Sequence, residues 1–157
     1  METLDLKKIL SNINVDADWI GLREVNESTT YRVIRDLNPE SDSTFVDHGV
    51  MVEVLVDGQF GYCATHNLSY AAINNAAEKA YIQAKQASKF SSYSFTEEVR
   101  PKSIGEYNSP YLIKDVKLDD LMDTLLKSNN VLKNSDKIVS AISMARIVNT
   151  DMQYVST

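Results

Sequence analysis

The side chains best suited to metal binding or nucleophilic attack are two histidines, His48 and His66, and a single cysteine, Cys63. Cys63-Ala64-Thr65-His66 has the spacing of a ligand pair, but a protein-held metal takes three or four ligands and no second pair follows. Neither histidine sits in a His-Glu-x-x-His pattern, so a zincin-type helix is absent. Two nucleophilic pairings stay open, Cys63 with His66 and Cys63 with His48. Residues three apart at a strand end point to opposite faces, which weakens the first pairing. The plainer reading is a core cysteine followed by a strand-end histidine. Asp119-Asp120 and Glu97-Glu98 are paired acids. General acid–base work needs carboxylates that converge on a pocket, so adjacent pairs read as a helix start and a loop. Asp57-Gly58-Gln59-Phe60-Gly61 lies inside a hairpin and not before a helix, so it is no phosphate loop. No catalytic, cofactor-binding or metal-ligating residue is assigned to this chain; it reads as a scaffold.

Composition narrows the partners. The chain has 157 residues, enough for one domain with a core. A net charge of -6 argues against a nucleic-acid surface, which needs clustered Lys and Arg, and Lys7-Lys8 is the longest basic pair. One cysteine allows no internal disulfide. The start, Met1-Glu2-Thr3-Leu4-Asp5, is no signal peptide, and no apolar run approaches the roughly 20 residues of a membrane span. The expectation is a cytoplasmic protein with neither nucleic-acid nor membrane partners.

The elements that must position these groups centre on Val50–Ala64. Val50, Val52, Val54 and Val56 share one strand face. Asp57-Gly58 supplies a type I′ turn, and Gln59 to Ala64 returns. A two-residue turn sets Val56 against Gln59, Leu55 against Phe60, Val54 against Gly61, Glu53 against Tyr62, Val52 against Cys63 and Met51 against Ala64. Both faces are partly apolar, which places the hairpin in the middle of a sheet. Gly61 leaves room for a close neighbour.

Before the hairpin, a helix with the stripe Leu6, Ile9, Leu10 and Ile13 opens the chain, with Thr3 as its cap and Asp5 in its first turn. Asp18 to Val25 reads as a strand, Asn26-Glu27-Ser28 as a connection, Thr29 to Arg35 as the return strand and Asp36 to Ser43 as a loop. After the hairpin, Asn67 or Ser69 caps a helix whose face is Ile73, Ala76, Ala77, Ala80, Ala84 and Ala87. Residues 88–117 form an irregular loop whose aromatics (Phe90, Tyr93, Phe95, Tyr107, Tyr111) favour wrapping over disorder. A third helix starts at Leu118 and frays at Asn129-Asn130; Lys137 to Val148 is a strand, Asn149-Thr150-Asp151 a turn and Met152 onward another strand. The fold class is α+β: a largely antiparallel sheet, a meander with a central Asp-Gly hairpin, covered by two or three helices. Residues 1–157 read as a single domain, the N-terminal part of something longer.

The order of parts carries a resemblance. Ala17-Asp-Trp-Ile-Gly-Leu-Arg23, then Gly49-Val-Met-Val-Glu-Val-Leu-Val-Asp-Gly-Gln-Phe-Gly-Tyr-Cys63, then the Asn67-Leu-Ser-Tyr helix through Ala80 and Ala84 resemble the N-terminal domain of the TldD/PmbA family, long labelled modulators of DNA gyrase. The match is strongest over residues 15–87. Met51 stands where the family often has glycine, Glu53 where it often has a basic residue, and Phe60 where it often has tryptophan. The resemblance implies a metallopeptidase parent that acts on unfolded or leader peptides. It also implies a TldD/PmbA-type homo- or hetero-dimer partner, and zinc held by a His-Glu-x-x-x-His helix in the C-terminal half. That motif is not in these residues, and this domain would dock the C-terminal domain of the same protein. Two other readings stand beside it: a stand-alone peptide- or protein-binding module, and a small enzyme built on Cys63.

Overall fold

A computed structural model describes residues 4–110 and 116–157. The elements run α1 (Leu6–Asn12), β1 (Trp19–Arg35), β2 (Asn38–Val56), β3 (Gln59–Thr65), α2 (Tyr70–Ala87), α3 (Leu118–Leu132) and β4 (Ile142–Ser156). The strands form one open sheet in the order β3-β2-β1-β4, an α+β fold. The chain divides into two compact units: Met1–Asn26, Asp47–Gly105 and Asp151–Thr157 make the first, Glu27–Val46 and Glu106–Thr150 the second. Among the described residues no helix is long and apolar enough to cross a membrane.

The first unit is built on the expected hairpin. Asp57 and Gly58 both take positive φ (49° and 75°), and every pairing from Met51–Ala64 to Val56–Gln59 is observed. Val50, Val52, Val54 and Val56 are buried with Ile20 and Leu22 against the α2 face of Ile73, Ala76, Ala77, Ala80 and Ala84. Each buried valine, isoleucine or leucine contributes roughly 1.5–3 kcal/mol by leaving water, and each alanine less. Alanine on that face lets the helix lie close, and Gly61 completes the fit: a Cβ there would stand 2.9 Å from the Ala80 carbonyl carbon and from Ala84 N. Ser69 caps α2 by accepting from Ala72 N–H, while Ala87, at the end of the stripe, is exposed. Asp5 itself caps α1, accepting from Lys8 N–H at 3.0 Å; Thr3 lies outside the described residues.

The second unit holds the distal parts of β1 and β2, most of β4, and α3. Asp36 and Leu37 turn β1 into β2 with φ of 50° and 67°. Asn129 of α3, fully buried, grips this turn: its Oδ1 accepts from Leu37 N–H at 2.8 Å and its amide donates to Ala141 O at 3.0 Å and Ile34 O at 3.3 Å.

Several sequence expectations are corrected. The hairpin stands at the sheet's rim, since β3 is the outermost strand; its second apolar face is covered by loop aromatics instead of a further sheet neighbour. Asn26-Glu27-Ser28 is not a connection, because β1 runs straight through it, with Glu27 accepting from Thr29 and Thr150 hydroxyls along the sheet. The loop at 36–43 shrinks to Asp36-Leu37, so the first 65 residues hold two long strands and one short one, not four. Pro39 sits within β2 without penalty because β3 pairs only with residues from Val50 to Val56, leaving that part of β2 at an edge. Asn149-Thr150-Asp151 continues β4, which begins only at Ile142. Asn129 does not fray α3; it anchors it, and the helix reaches Leu132. Of the loop aromatics, Tyr93 and Phe95 pack on the chain itself, Phe90 and Tyr107 are exposed, and Tyr111 lies outside the described residues.

Candidate functional site

Strand alternation sends Met51, Glu53 and Leu55 to the face opposite α2, where Phe60 and Tyr62 of β3 join them. Glu53 is only 2% exposed, an acid in the middle of an apolar strand. Its cation arrives from the loop after α2: Arg100 Nη2 donates to Glu53 Oε1 at 2.5 Å and Nε to Oε2 at 3.4 Å. A buried carboxylate needs such a partner, since an unpaired one forfeits its hydration. The loop that delivers Arg100 is tied down on its way. Phe95 N–H donates to Gly58 O at 2.8 Å, and the Gln59 side-chain amide donates to Tyr93 O.

Aromatic rings surround the pair. Phe60 meets Trp19 edge-on at 6.0 Å and Phe95 at 5.6 Å, and Arg100 lies over the Phe60 ring at 4.9 Å. Arg23 lies 5.8 Å from the Tyr154 ring centre. Tyr154 reaches over Gly21, where a Cβ would come within 2.7 Å of its hydroxyl and 2.6 Å of the Trp19 ring. Burial first, and the Glu53 carboxylate second, push the Tyr62 and Tyr154 phenols above the usual tyrosine range. Both stay protonated at neutral pH and can donate hydrogen bonds. Arg100 is pushed up by its bond to Glu53. The face therefore offers phenol donors, an exposed guanidinium at Arg23 and flat apolar rings, which suits it to hold a polypeptide.

The residues singled out from the sequence are used differently. His48 Nε2 lies 2.8 Å from Glu24 Oε1, a buried carboxylate whose Oε2 accepts from Gln153; Gln153 also donates to Leu4 O at 2.8 Å. Cys63 faces Val52 and packs against the α2 core, and His66 is exposed just past β3. Among the described residues no contact joins Cys63 to either histidine, and no group of three or more His, Cys, Asp or Glu is placed to hold a metal. Asp119 and Asp120 are exposed in the first turn of α3, and Glu97 and Glu98 are exposed in a short turn. Sequence reading paired Glu53 with Tyr62 but missed the site. The signal was an acid inside a valine run, on the face that carries aromatics; nothing local pointed to Arg100 or Tyr154.

Three comparisons bear on what this domain is. The family signature described as PmbA/TldA metallopeptidase domain 1 matches residues 22–84. No curated protein sequence matches the chain. Among solved structures, the fold is similar to TldE from Thermococcus kodakarensis, with a TM-score of 0.65 at 14% identity, covering 97% of this chain and 34% of that one. It is similar to a protein described as a modulator of DNA gyrase from Bacteroides thetaiotaomicron, with a TM-score of 0.60 at 14% identity, covering 99% of this chain and 40% of the other. A protein so described from Thermotoga maritima gives a TM-score of 0.57 at 14% identity, covering 88% and 31% respectively. This chain spans between about a third and two fifths of the length of these relatives. Residues 22–84 therefore match the signature of that metallopeptidase domain 1, and the chain shares the fold of these solved structures over nearly its whole length.

Proposed function

We propose that this chain is the N-terminal scaffold and docking domain of a cytoplasmic TldD/PmbA-type metallopeptidase that acts on unfolded or leader peptides, and that the domain has no active site of its own. The observation that carries the reading is the family signature coinciding with a fold that follows TldE along nearly the whole chain, while two thirds of TldE lie beyond it. Residues 1–157 serve in it as one α+β domain, with the loop at 88–117 supplying Arg100 and the aromatic cover of the hairpin. Zinc, in this reading, belongs to a His-Glu-x-x-x-His helix of the C-terminal half and would activate water for peptide hydrolysis. The residues here do not fit that ion: His48 is engaged by Glu24, Cys63 packs half-buried against the core and His66 stands exposed past β3. The partners are the C-terminal domain, a TldD/PmbA-type homo- or hetero-dimer partner, and the peptide.

The test is to express the full reading frame that contains this chain, alone and with its dimer partner. Zinc content and hydrolysis of an unfolded polypeptide are then measured with and without residues 1–157. The expected result is zinc-dependent hydrolysis that disappears on deletion while the metal is retained. Stoichiometric zinc in the isolated 157-residue chain overturns the reading, as does full hydrolysis without it.

A second reading, a stand-alone peptide- or protein-binding module, is favoured by the exposed Tyr62, Tyr93 and Tyr154 (45%, 65% and 42% exposed) on the Arg23 face. It requires the isolated chain to bind polypeptide and to lose that affinity on Tyr62→Ser.

A further inference from the structure

Among the described residues the sheet has three unpaired edge segments, and two of them are closed. On β3, which is only seven residues long, Tyr62 N–H donates to Gln83 Oε1 of α2 at 2.7 Å. The edge of β2 between residues 38 and 47 carries Pro39, Glu40, Asp42 and Asp47, a proline and three acids. Short strands, edge prolines and edge charges are the usual means of blocking strand addition.

Among the described residues, β4 in the second unit carries no proline and a single charge, Arg146. Asp36 N–H donates to Ala141 O at 3.0 Å, and Thr150 reaches Glu27 at 2.9 Å on the same register. In an antiparallel ladder of that register, Ala141, Ser143, Ala145, Ile147 and Asn149 bond to β1. The N–H and C=O groups of Ile142, Met144, Arg146, Val148 and Thr150 then point away from the sheet. Their side chains lie opposite buried Ala141 and Ser143, and three are apolar and open: Ile142 48%, Met144 60% and Val148 36% exposed. Arg146 is the single charged residue between 142 and 150. It lies 6.0 Å from the Tyr31 ring centre, and Tyr31 meets Phe45 edge-on at 6.2 Å. The row Phe45–Tyr31–Arg146 thus crosses three strands and ends on a guanidinium that touches a ring and no carboxylate among the described residues.

We propose that β4 accepts an extended protein segment as a further strand, with apolar side chains at every second position and a carboxylate opposite Arg146. The row of backbone groups specifies an extended partner, because a helix has already satisfied its own N–H and C=O groups. Arg146 specifies the acid. A second copy offering its own β4 would bring an arginine to this edge, so charge complementarity selects a different chain. The inference needs only the edge, and it stands or falls separately from the peptidase reading.

The probe is the synthetic peptide Val-Thr-Val-Thr-Glu-Thr-Val-Thr-Val, added to the 157-residue chain while amide exchange is followed residue by residue by NMR. Exchange of the Met144, Arg146 and Val148 amides slows by about tenfold or more, while Ala145 and Ile147, already bonded to β1, change little. Met144→Pro removes one outward donor without taking a bond from β1, and it abolishes the effect in a folded protein. Arg146→Glu weakens the peptide several-fold and reverses its preference over a variant with lysine in place of glutamate. Four results overturn the proposal: no slowing at millimolar peptide, slowing at Phe60–Ala64 instead, unchanged binding by Met144→Pro, or slowing that follows protein concentration without peptide. The last would make the occupant a second copy.

Discussion

The two units use the same strands and cover them differently. In the first, Val50 to Val56 is buried on both faces except for Met51, with α2 on one side and the Trp19–Phe60–Phe95 rings with Arg100 on the other. In the second, α3 covers one face, and the other shows Phe45 (58% exposed), Ile142 and Met144 to solvent. In the first case Val50 to Val56 is apolar apart from Glu53, and in the second Ser143 and Arg146 interrupt the apolar residues from Ile142 to Val148. A strand that is apolar on both faces has been supplied with two covers inside the chain; one left with exposed apolar side chains is open to a cover from elsewhere. The first unit accordingly depends on close packing and the second on a few polar bonds.

That contrast is broken most directly at Gly61. In Gly61→Val the new side chain meets the backbone of α2 at Ala80 and Ala84, which cannot yield as a side chain would. Loss of more than about 4 kcal/mol in urea unfolding is expected, at the severe end of single substitutions. Gly105→Ala, with nothing within 4 Å of its Cβ, should change stability little. Similar effects at both sites would mean that α2 does not lie on the hairpin as described.

Asn129→Ala is the matching test of the second unit. It leaves Leu37 N–H and the carbonyls of Ile34 and Ala141 without that partner in a buried place. The expected cost is about 3 kcal/mol, checked by the same unfolding curve. This residue also marks the limit of sequence reading. The hairpin was legible because an alternating run and an Asp-Gly corner are local signals, and its register follows from the turn alone. Asn129 misled because asparagine near a helix end ordinarily frays it, and the turn that it holds lies 92 residues away in sequence. The long strands were cut short for a related reason: Asn26-Glu27-Ser28 and Asn149-Thr150-Asp151 have turn composition, but Glu27 and Thr150 satisfy each other across β1 and β4. Glu53 was placed correctly opposite Tyr62, while its partner Arg100 comes from a loop with no periodic signal.

Arg100→Ala sharpens the first unit's second face. It strands the Glu53 carboxylate in a nearly dry position, although Arg100 itself is 39% exposed and water can partly replace it. Allowing for that exposure, the loss is about 2 kcal/mol, and Glu53→Gln in the same protein should recover much of it. If the double variant is no more stable than Arg100→Ala, the ion pair is not what holds the loop on the hairpin. Tyr93 and Phe95 would then carry it alone, and the loop should resist proteolysis equally in both variants.

The smallest effect belongs to the second unit's turn and is read against pH. The Ala141 N–H, then Lys133, hold the Asp36 carboxyl below the usual carboxylate range, with a further bond from Ser140. A group whose folded pKa is depressed contributes stability that is present above its unfolded pKa, near 3.9, and is lost as pH falls through the lower folded value. Asp36→Asn keeps an acceptor for Ala141 and a residue tolerant of positive φ, but removes the charge facing Lys133. The variant should melt slightly below the parent near neutral pH, and the gap should close in acid. Below about pH 4 the parent should fall more steeply, because it alone loses the Asp36 contribution there. Parallel curves through the acid range would show that the turn is held by Asn129 and its backbone bonds with no help from the carboxylate. The turn of the second unit would then rest on neutral hydrogen bonds, whereas the hairpin of the first keeps a buried charge at Glu53.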